Sequence, residues 1–158
     1  MSEELDQFSE EEINQIKERF FQMKETGESM YFDVDQYEGL IDHFFEYEDT
    51  DNIEIALKHA LEQHPGNYDF LLKKAQLFAI YGEDELGLNI LNELNGVATD
   101  SDYFMIKGTL LSNLQKYREA IEEYTNALNR GQDLEEVYAN IAFEYENLEQ
   151  YDKAIENL

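Results

Sequence analysis

Two stretches, YREAIEEY at residues 117–124 and YDKAIENL at residues 151–158, are nearly the same phrase: Tyr117, Ala120, Ile121 and Glu122 return as Tyr151, Ala154, Ile155 and Glu156, each 34 residues later. A fixed displacement of that size marks a repeated supersecondary unit, one that buries its apolar face by stacking on its neighbours. Within residues 101–134, the apolar positions Tyr103, Phe104, Ile106, Leu110, Leu111 and Leu114 fall at helical spacing. A second helical set follows at Tyr117, Ala120, Ile121, Tyr124, Ala127 and Leu128. The unit therefore reads as a helical hairpin. Thr99 with Asp102 offers a capping box for its first helix, and Gly131 offers a left-handed stop after its second. Ala120 and Ala127 lie seven residues apart on one face, where small side chains let two helices approach closely.

Composition points the same way. The 158 residues are 42% hydrophobic, enough for a real core, and the single proline and eight glycines leave long stretches free for helix. With no cysteine, disulfide scaffolds, thiol nucleophiles and cysteine-ligated zinc are excluded. The start, MSEELDQFSEEE, is acidic and lacks the apolar run of a secretory signal, and no segment is long and apolar enough to span a bilayer. The sequence is therefore expected to be cytoplasmic, with no membrane association. The formal charge of −26, from 37 acids and 11 bases, repels phosphate backbones and argues against nucleic acid as a partner. Acidity runs along the whole chain, since residues 1–65 alone carry 19 acids and 4 bases. It reads first as a solvating surface and second as one that selects basic partners.

The 101–134 hairpin resembles the unit of the tetratricopeptide repeat (TPR) family, about 34 residues long. Phe104 stands at the family's aromatic position, Gly108 at its central glycine and Leu111 at the large residue that follows. Ala120, Tyr124 and Ala127 fill the second-helix positions, while Lys107 replaces a leucine and Gln132 the closing proline. The preceding unit, 68–100, carries Tyr68, Leu71, Ala75, Phe78, Gly82, Gly87, Leu91 and Leu94. The unit at 34–67 carries Tyr37, Leu40, Ile41, Phe44, Ile53, Leu57 and Ala60 and closes with Pro65. Larger Ile41 and Ile53 take its small positions, so a looser hairpin is expected there. A fourth unit opens with Tyr138, Ile141, Ala142 and Tyr145 and is incomplete over 135–158. The units follow one another at 34, 33 and 34 residues. Ahead of them, residues 1–33 hold an amphipathic helix, capped by Ser9 and Glu12 and striped with Ile13, Ile16, Phe20 and Met23, that would cover the first unit. Phe32 and Tyr37 can staple around an Asp33–Gln36 box. The expected fold is an all-α solenoid of helical hairpins, a right-handed superhelix, with an N-terminal capping helix. The phrase YDKAIENL stops before the turns that follow in the previous unit, so the chain is expected to be the N-terminal part of a longer repeat protein. Residues 149–158 are expected to fray or to self-associate through their apolar face.

The chemistry-bearing residues are sparse. His43, His59 and His64 match no metal or general-base pattern, and no serine sits in a nucleophile elbow. DVDQYE at 33–38 and DTDNIE at 49–54 begin like calcium loops but lack the turn glycine and the distal glutamate, so they read as helix caps. No enzyme activity, metal or cofactor is expected. The resemblance implies instead that a protein or peptide partner lies along the inner faces of the first helices. Those positions are Asp35, Glu38, Asp42 and Phe45; Asp69, Leu72, Gln76 and Ile80; Asp102, Met105 and Thr109; Glu136, Phe143 and Asn147. TPR modules that hold carboxylate-ended tails use cationic and amide side chains at places filled here by Glu38, Asp42, Lys73, Asp102 and Ile106, so that specialised role does not transfer. A basic segment with apolar anchors is the expected ligand. The alternative is a self-associating scaffold that binds no peptide, with the apolar inner residues serving only as packing between hairpins.

Overall fold

The computed structural model describes residues 8–97, 100–131 and 133–158. Among them are nine helices: α1 (Glu10–Thr26), α2 (Val34–Glu46), α3 (Thr50–Gln63), α4 (Tyr68–Tyr81), α5 (Asp84–Leu94), α6 (Ser101–Asn113), α7 (Tyr117–Leu128), α8 (Leu134–Asn147) and α9 (Tyr151–Glu156). No strand occurs among the described residues. Cα packing divides the chain into two compact units, one ending at Phe70 and the other beginning at Leu71.

The helices start where short polar side chains can serve the orphan amides of a first turn. At α1, the Glu12 amide donates to Ser9 Oγ at 3.3 Å and the Ser9 amide donates to Glu12 Oε2 at 2.8 Å. These bonds also hold the Glu12 carboxyl below its usual range. A second box precedes α2, where Gln36 N donates to Asp33 Oδ1 at 2.8 Å and Asp33 N to Gln36 Oε1 at 3.1 Å, with the Phe32 and Tyr37 rings 5.2 Å apart. Asp49 caps α3 by accepting from the Asn52 amide. At α6 the cap is Asp100, which accepts from Tyr103 N at 2.9 Å; Thr99 of the expected box lies outside the described residues, as does Gln132.

The turns that join first to second helices repeat one another in backbone conformation. Glu48, Gly82, Gln115 and Glu149 have φ of 53°, 72°, 62° and 59°, in the left-handed region. They are spaced by 34, 33 and 34 residues, the displacements found in the apolar pattern. After each, the next amide reaches back five residues: Asp49 N to Phe44 O, Glu83 N to Phe78 O, Lys116 N to Leu111 O and Gln150 N to Tyr145 O, at 2.8–2.9 Å. This is the Schellman closure, and three of the four turns form it without the glycine it favours. A side chain in that conformation costs about 1–2 kcal/mol, partly offset by the chain entropy a glycine would lose. Gln115→Gly is accordingly expected to raise unfolding stability by roughly 0.5–1 kcal/mol in urea melts. A loss of stability there would mean that the side chain holds the turn.

In the first unit, α1 lies against α2. Gly39 makes the approach possible, since a Cβ there would stand 2.9 Å from Phe8 Cδ2 and 3.1 Å from Ile13 Cδ1. Ile16, Phe20 and Met23 are buried, and the Phe20 and Phe44 rings meet at 5.5 Å. Ile41 and Ile53 are fully buried between α2 and α3. The lead-in to α2 is held by side chains from the end of α3: Gln63 accepts from Phe32 N at 3.0 Å and donates to Met30 O at 2.8 Å, while His64 Nε2 lies 2.8 Å from Phe32 O. Arg19 adds a bond to Tyr31 O and stacks over the Phe32 ring at 4.6 Å.

In the second unit, close packing depends on two glycines. A Cβ on Gly108 would sit 2.5 Å from the Tyr124 ring, and one on Gly87 would sit 2.7 Å from Leu110 and 3.2 Å from the Ala75 carbonyl oxygen. Ala120 and Ala127 are fully buried, as the small-residue face requires. Lys107, at the family's leucine position, is absorbed by an ion pair with Glu123 at 2.8 Å; the Asn126 amide also donates to that carboxylate. Gly131, with φ of 82°, follows α7 as the left-handed stop.

Candidate functional site

The residues expected on the inner faces divide by exposure. In the first unit, Asp35, Asp42 and Asp69 are exposed, and Glu38 and Phe45 half-buried. In the second, Gln76, Asp102, Thr109, Glu136 and Asn147 are exposed, whereas Leu72 and Met105 are buried and serve as packing. Ile80 and Phe143 stand open, 53% and 56% exposed. On α8, Glu136, Ala139, Phe143, Glu146 and Asn147 follow the three-and-four spacing of one helix face, and all five are exposed. An aromatic ring thus sits in solvent between carboxylates on one face of a helix.

Below that surface the polar side chains are committed to one another. Thr109 Oγ1 donates to Met105 O and lies 3.4 Å from the Tyr124 hydroxyl. Burial pushes the Tyr124 phenol up, the Thr109 bond opposes this, and the charges of Glu144 and Glu136 push it further up. Asn113 donates to Asp84 Oδ1 at 2.7 Å and to Ala79 O at 3.4 Å, joining the start of α5 to the end of α6. Glu144 is 1% exposed, and the amide of Asn147 in its own helix donates to it at 3.2 Å. Sequence reading missed this residue, although a signal was present: counted from the left-handed turns, Glu144 takes the place of Leu110.

Several of the bases are engaged locally. Arg130 stacks over Phe104 at 4.2 Å and donates to Asn126 O, Lys74 lies over Phe78, Lys153 lies over Tyr145, and Lys24 reaches Asn52. Arg19 and Lys107 likewise lie over the Phe32 and Tyr103 rings. Each histidine also has a local partner: His59 meets Glu62 at 3.4 Å, His43 packs on Tyr47 with ring centroids 4.7 Å apart, and His64 holds the Phe32 carbonyl. Burial is the main cause lowering His43, followed by Lys17, with Glu46 opposing. Tyr37 is fully buried and its hydroxyl has no partner, so burial, with the charge of Glu62, pushes that phenol up. Among the described residues, no group of three His, Cys, Asp or Glu could hold a metal ion, and no helix is long and apolar enough to cross a membrane.

No protein-family model matches the sequence, and no curated protein matches it either. Among solved structures, the chain is similar to MamA of AMB-1, with a TM-score of 0.66 and 21% identity over 92% of this chain and 89% of that one. It is also similar to a MamA structure starting at residue 41 from Desulfovibrio magneticus RS-1, with a TM-score of 0.68 and 14% identity over 94% and 80% of the two chains. MamA of MSR-1 gives 0.63 and 18%, over 92% and 87%. At such identities the likeness is one of fold. The protein has an all-α, TPR-like architecture of helical hairpins.

Proposed function

We propose that the protein is a non-catalytic interaction module that holds a partner segment, basic with apolar anchors, on the inner faces of its first helices. The observation that carries this reading is the α8 face, where Phe143 is 56% exposed and flanked by exposed Glu136 and Glu146. A large ring left in water costs free energy that burial against a ligand would recover, and the carboxylates would steer a cationic segment toward it. The TPR-like fold supports the reading, because peptide recognition by helical hairpins uses such faces.

The test uses a panel of synthetic peptides pairing lysine or arginine with leucine or phenylalanine, read by surface-bound kinetics. Glu136→Lys with Glu146→Lys is expected to slow association by about tenfold at low salt and to flatten its salt dependence. Phe143→Ala is expected to act on dissociation, speeding it by roughly tenfold or more. Association unaffected by the charge reversals would reduce the acidity to a solvating role and remove the basic partner from the proposal.

A further inference from the structure

The fold accounts for seven of the chain's eight glycines. Gly27, Gly66, Gly82 and Gly131 have φ of 70–82°, in the left-handed region, and a Cβ on Gly39, Gly87 or Gly108 would stand within 2.9 Å of a neighbouring side chain. Gly96 has neither reason. Its φ is not left-handed, and a Cβ there would meet nothing within 4 Å. An alanine would fit and would spare the chain entropy that glycine loses on folding. What sets Gly96 apart is the residue before it: Asn95–Gly96 is the one Asn-Gly pair in the chain, and every other asparagine precedes a residue that carries a side chain.

The pair sits just past the end of α5, and both residues are exposed to water. Among the described residues, the Asn95 side chain makes no hydrogen bond and the Gly96 amide donates none. Asn95 has φ of −55° and ψ of −31°, so a turn about its Cα–C bond is needed to bring the Gly96 nitrogen over Asn95 Cγ. Little resists that turn: Asn95 N reaches Asn92 O at a long 3.4 Å, Val97 N reaches Leu94 O at 3.0 Å, and residue 96 has no Cβ to obstruct it. We propose that Asn95–Gly96 is a self-modification site, converting with time to isoaspartate or aspartate and weakening the end of α5. The Gly96 nitrogen gives its proton to solvent base and bonds to Asn95 Cγ, the Cγ–Nδ2 bond breaks, and Nδ2 leaves as ammonia. Water then opens the cyclic imide, at the main-chain carbonyl to give isoaspartate or at Cγ to give aspartate, with no change of oxidation state. Either product adds a negative charge at the C-terminal end of α5, where the helix dipole disfavours an anion and the last turn holds Glu93 and no base. Isoaspartate also adds one methylene to the main chain between buried Leu94 and Asp100, the cap of α6. No residue of the proposed partner face takes part, so the site stands independently of the peptide-binding reading.

The test incubates the full chain in mildly alkaline buffer beside a synthetic peptide of residues 91–100. Both are followed by peptide mapping with mass spectrometry that separates asparagine, aspartate and isoaspartate. Residue 95 of the folded chain is expected to convert ahead of every other asparagine, at a rate within about tenfold of the peptide's, with isoaspartate exceeding aspartate. Gly96→Ala, which the fold accommodates, is expected to slow the conversion at least about tenfold. Incubation is expected to lower the urea midpoint of the unsubstituted chain, to speed hydrogen exchange in the last turn of α5, and to leave the Gly96→Ala chain unchanged in both. Residue 95 intact in the folded chain once the peptide has converted would overturn the proposal. So would a Gly96→Ala chain that converts as fast as the unsubstituted one, or a converted chain whose urea midpoint has not moved.

Discussion

Tyr124→Ala is expected to lower the unfolding free energy by ~3–5 kcal/mol, the range for removing a buried aromatic ring. Against a total of roughly 5–15 kcal/mol for a domain, the loss would leave the second unit marginal or unfolded at room temperature. Its magnitude follows from where the ring lies: 3% exposed, on the hairpin's second helix, filling the space that Gly108 leaves empty on the first. The complementary change is Gly108→Ala. Its new methyl would need to sit 2.5 Å from the ring, so the helices must part, at a cost of about 1–3 kcal/mol. The two positions should couple. In a Tyr124→Leu background, Gly108→Ala should become nearly free, giving an interaction energy of roughly 1–2 kcal/mol in a urea-melt double-mutant cycle. A near-silent Tyr124→Ala, or additive effects in the cycle, would show that the ring does not belong in this register.

How much of this was legible in the sequence depends on whether a feature is periodic. The hairpins were, because burial in a helix repeats every three or four residues and stacking repeats every 33 or 34, so Ala120, Ala127, Tyr124 and Gly108 each announced their place. Caps were legible at Ser9 and Asp33, where the two side chains of a box serve each other's amides, whereas the α6 cap is Asp100 where Thr99 was expected. The left-handed turns were not, since Glu48, Gln115 and Glu149 carry no glycine signal; their conformation is imposed by the closure around them. The polar clamps of Gln63 and His64 on residues 30–32, and of Asn113 on Asp84, join residues 29 to 33 apart and leave no local trace. For the residues expected on the inner faces, the sequence pattern does not carry exposure. Leu72 and Met105 share a pattern with Ile80 and Phe143, yet the first pair is buried by neighbours and the second is open.

Glu144→Leu is expected to stabilise the protein, by about 1–4 kcal/mol, in a reversal of the usual sign for a core substitution. Counted from the left-handed turns, Leu110 and Glu144 occupy one register; the leucine is fully buried and the glutamate is 1% exposed. An ionised carboxylate taken from water must recover its hydration through hydrogen bonds and a counter-charge. Glu144 has the Asn147 amide of its own helix at 3.2 Å. One neutral amide offsets only part of the desolvation cost, so an apolar residue of similar volume should do better. Space sets the upper bound: Ala120 stands where the preceding hairpin has Gly87, which leaves one methyl less room than Leu110 enjoys. Glu144→Gln separates the two effects, because it removes the charge and keeps the shape. The amide variant should be stabilised by a smaller amount, and the leucine variant by more if packing permits. Destabilisation of both by more than about 1 kcal/mol in urea melts would mean that the carboxylate has a favourable partner, and the burial of Glu144 would then be a strength of the α7–α8 contact.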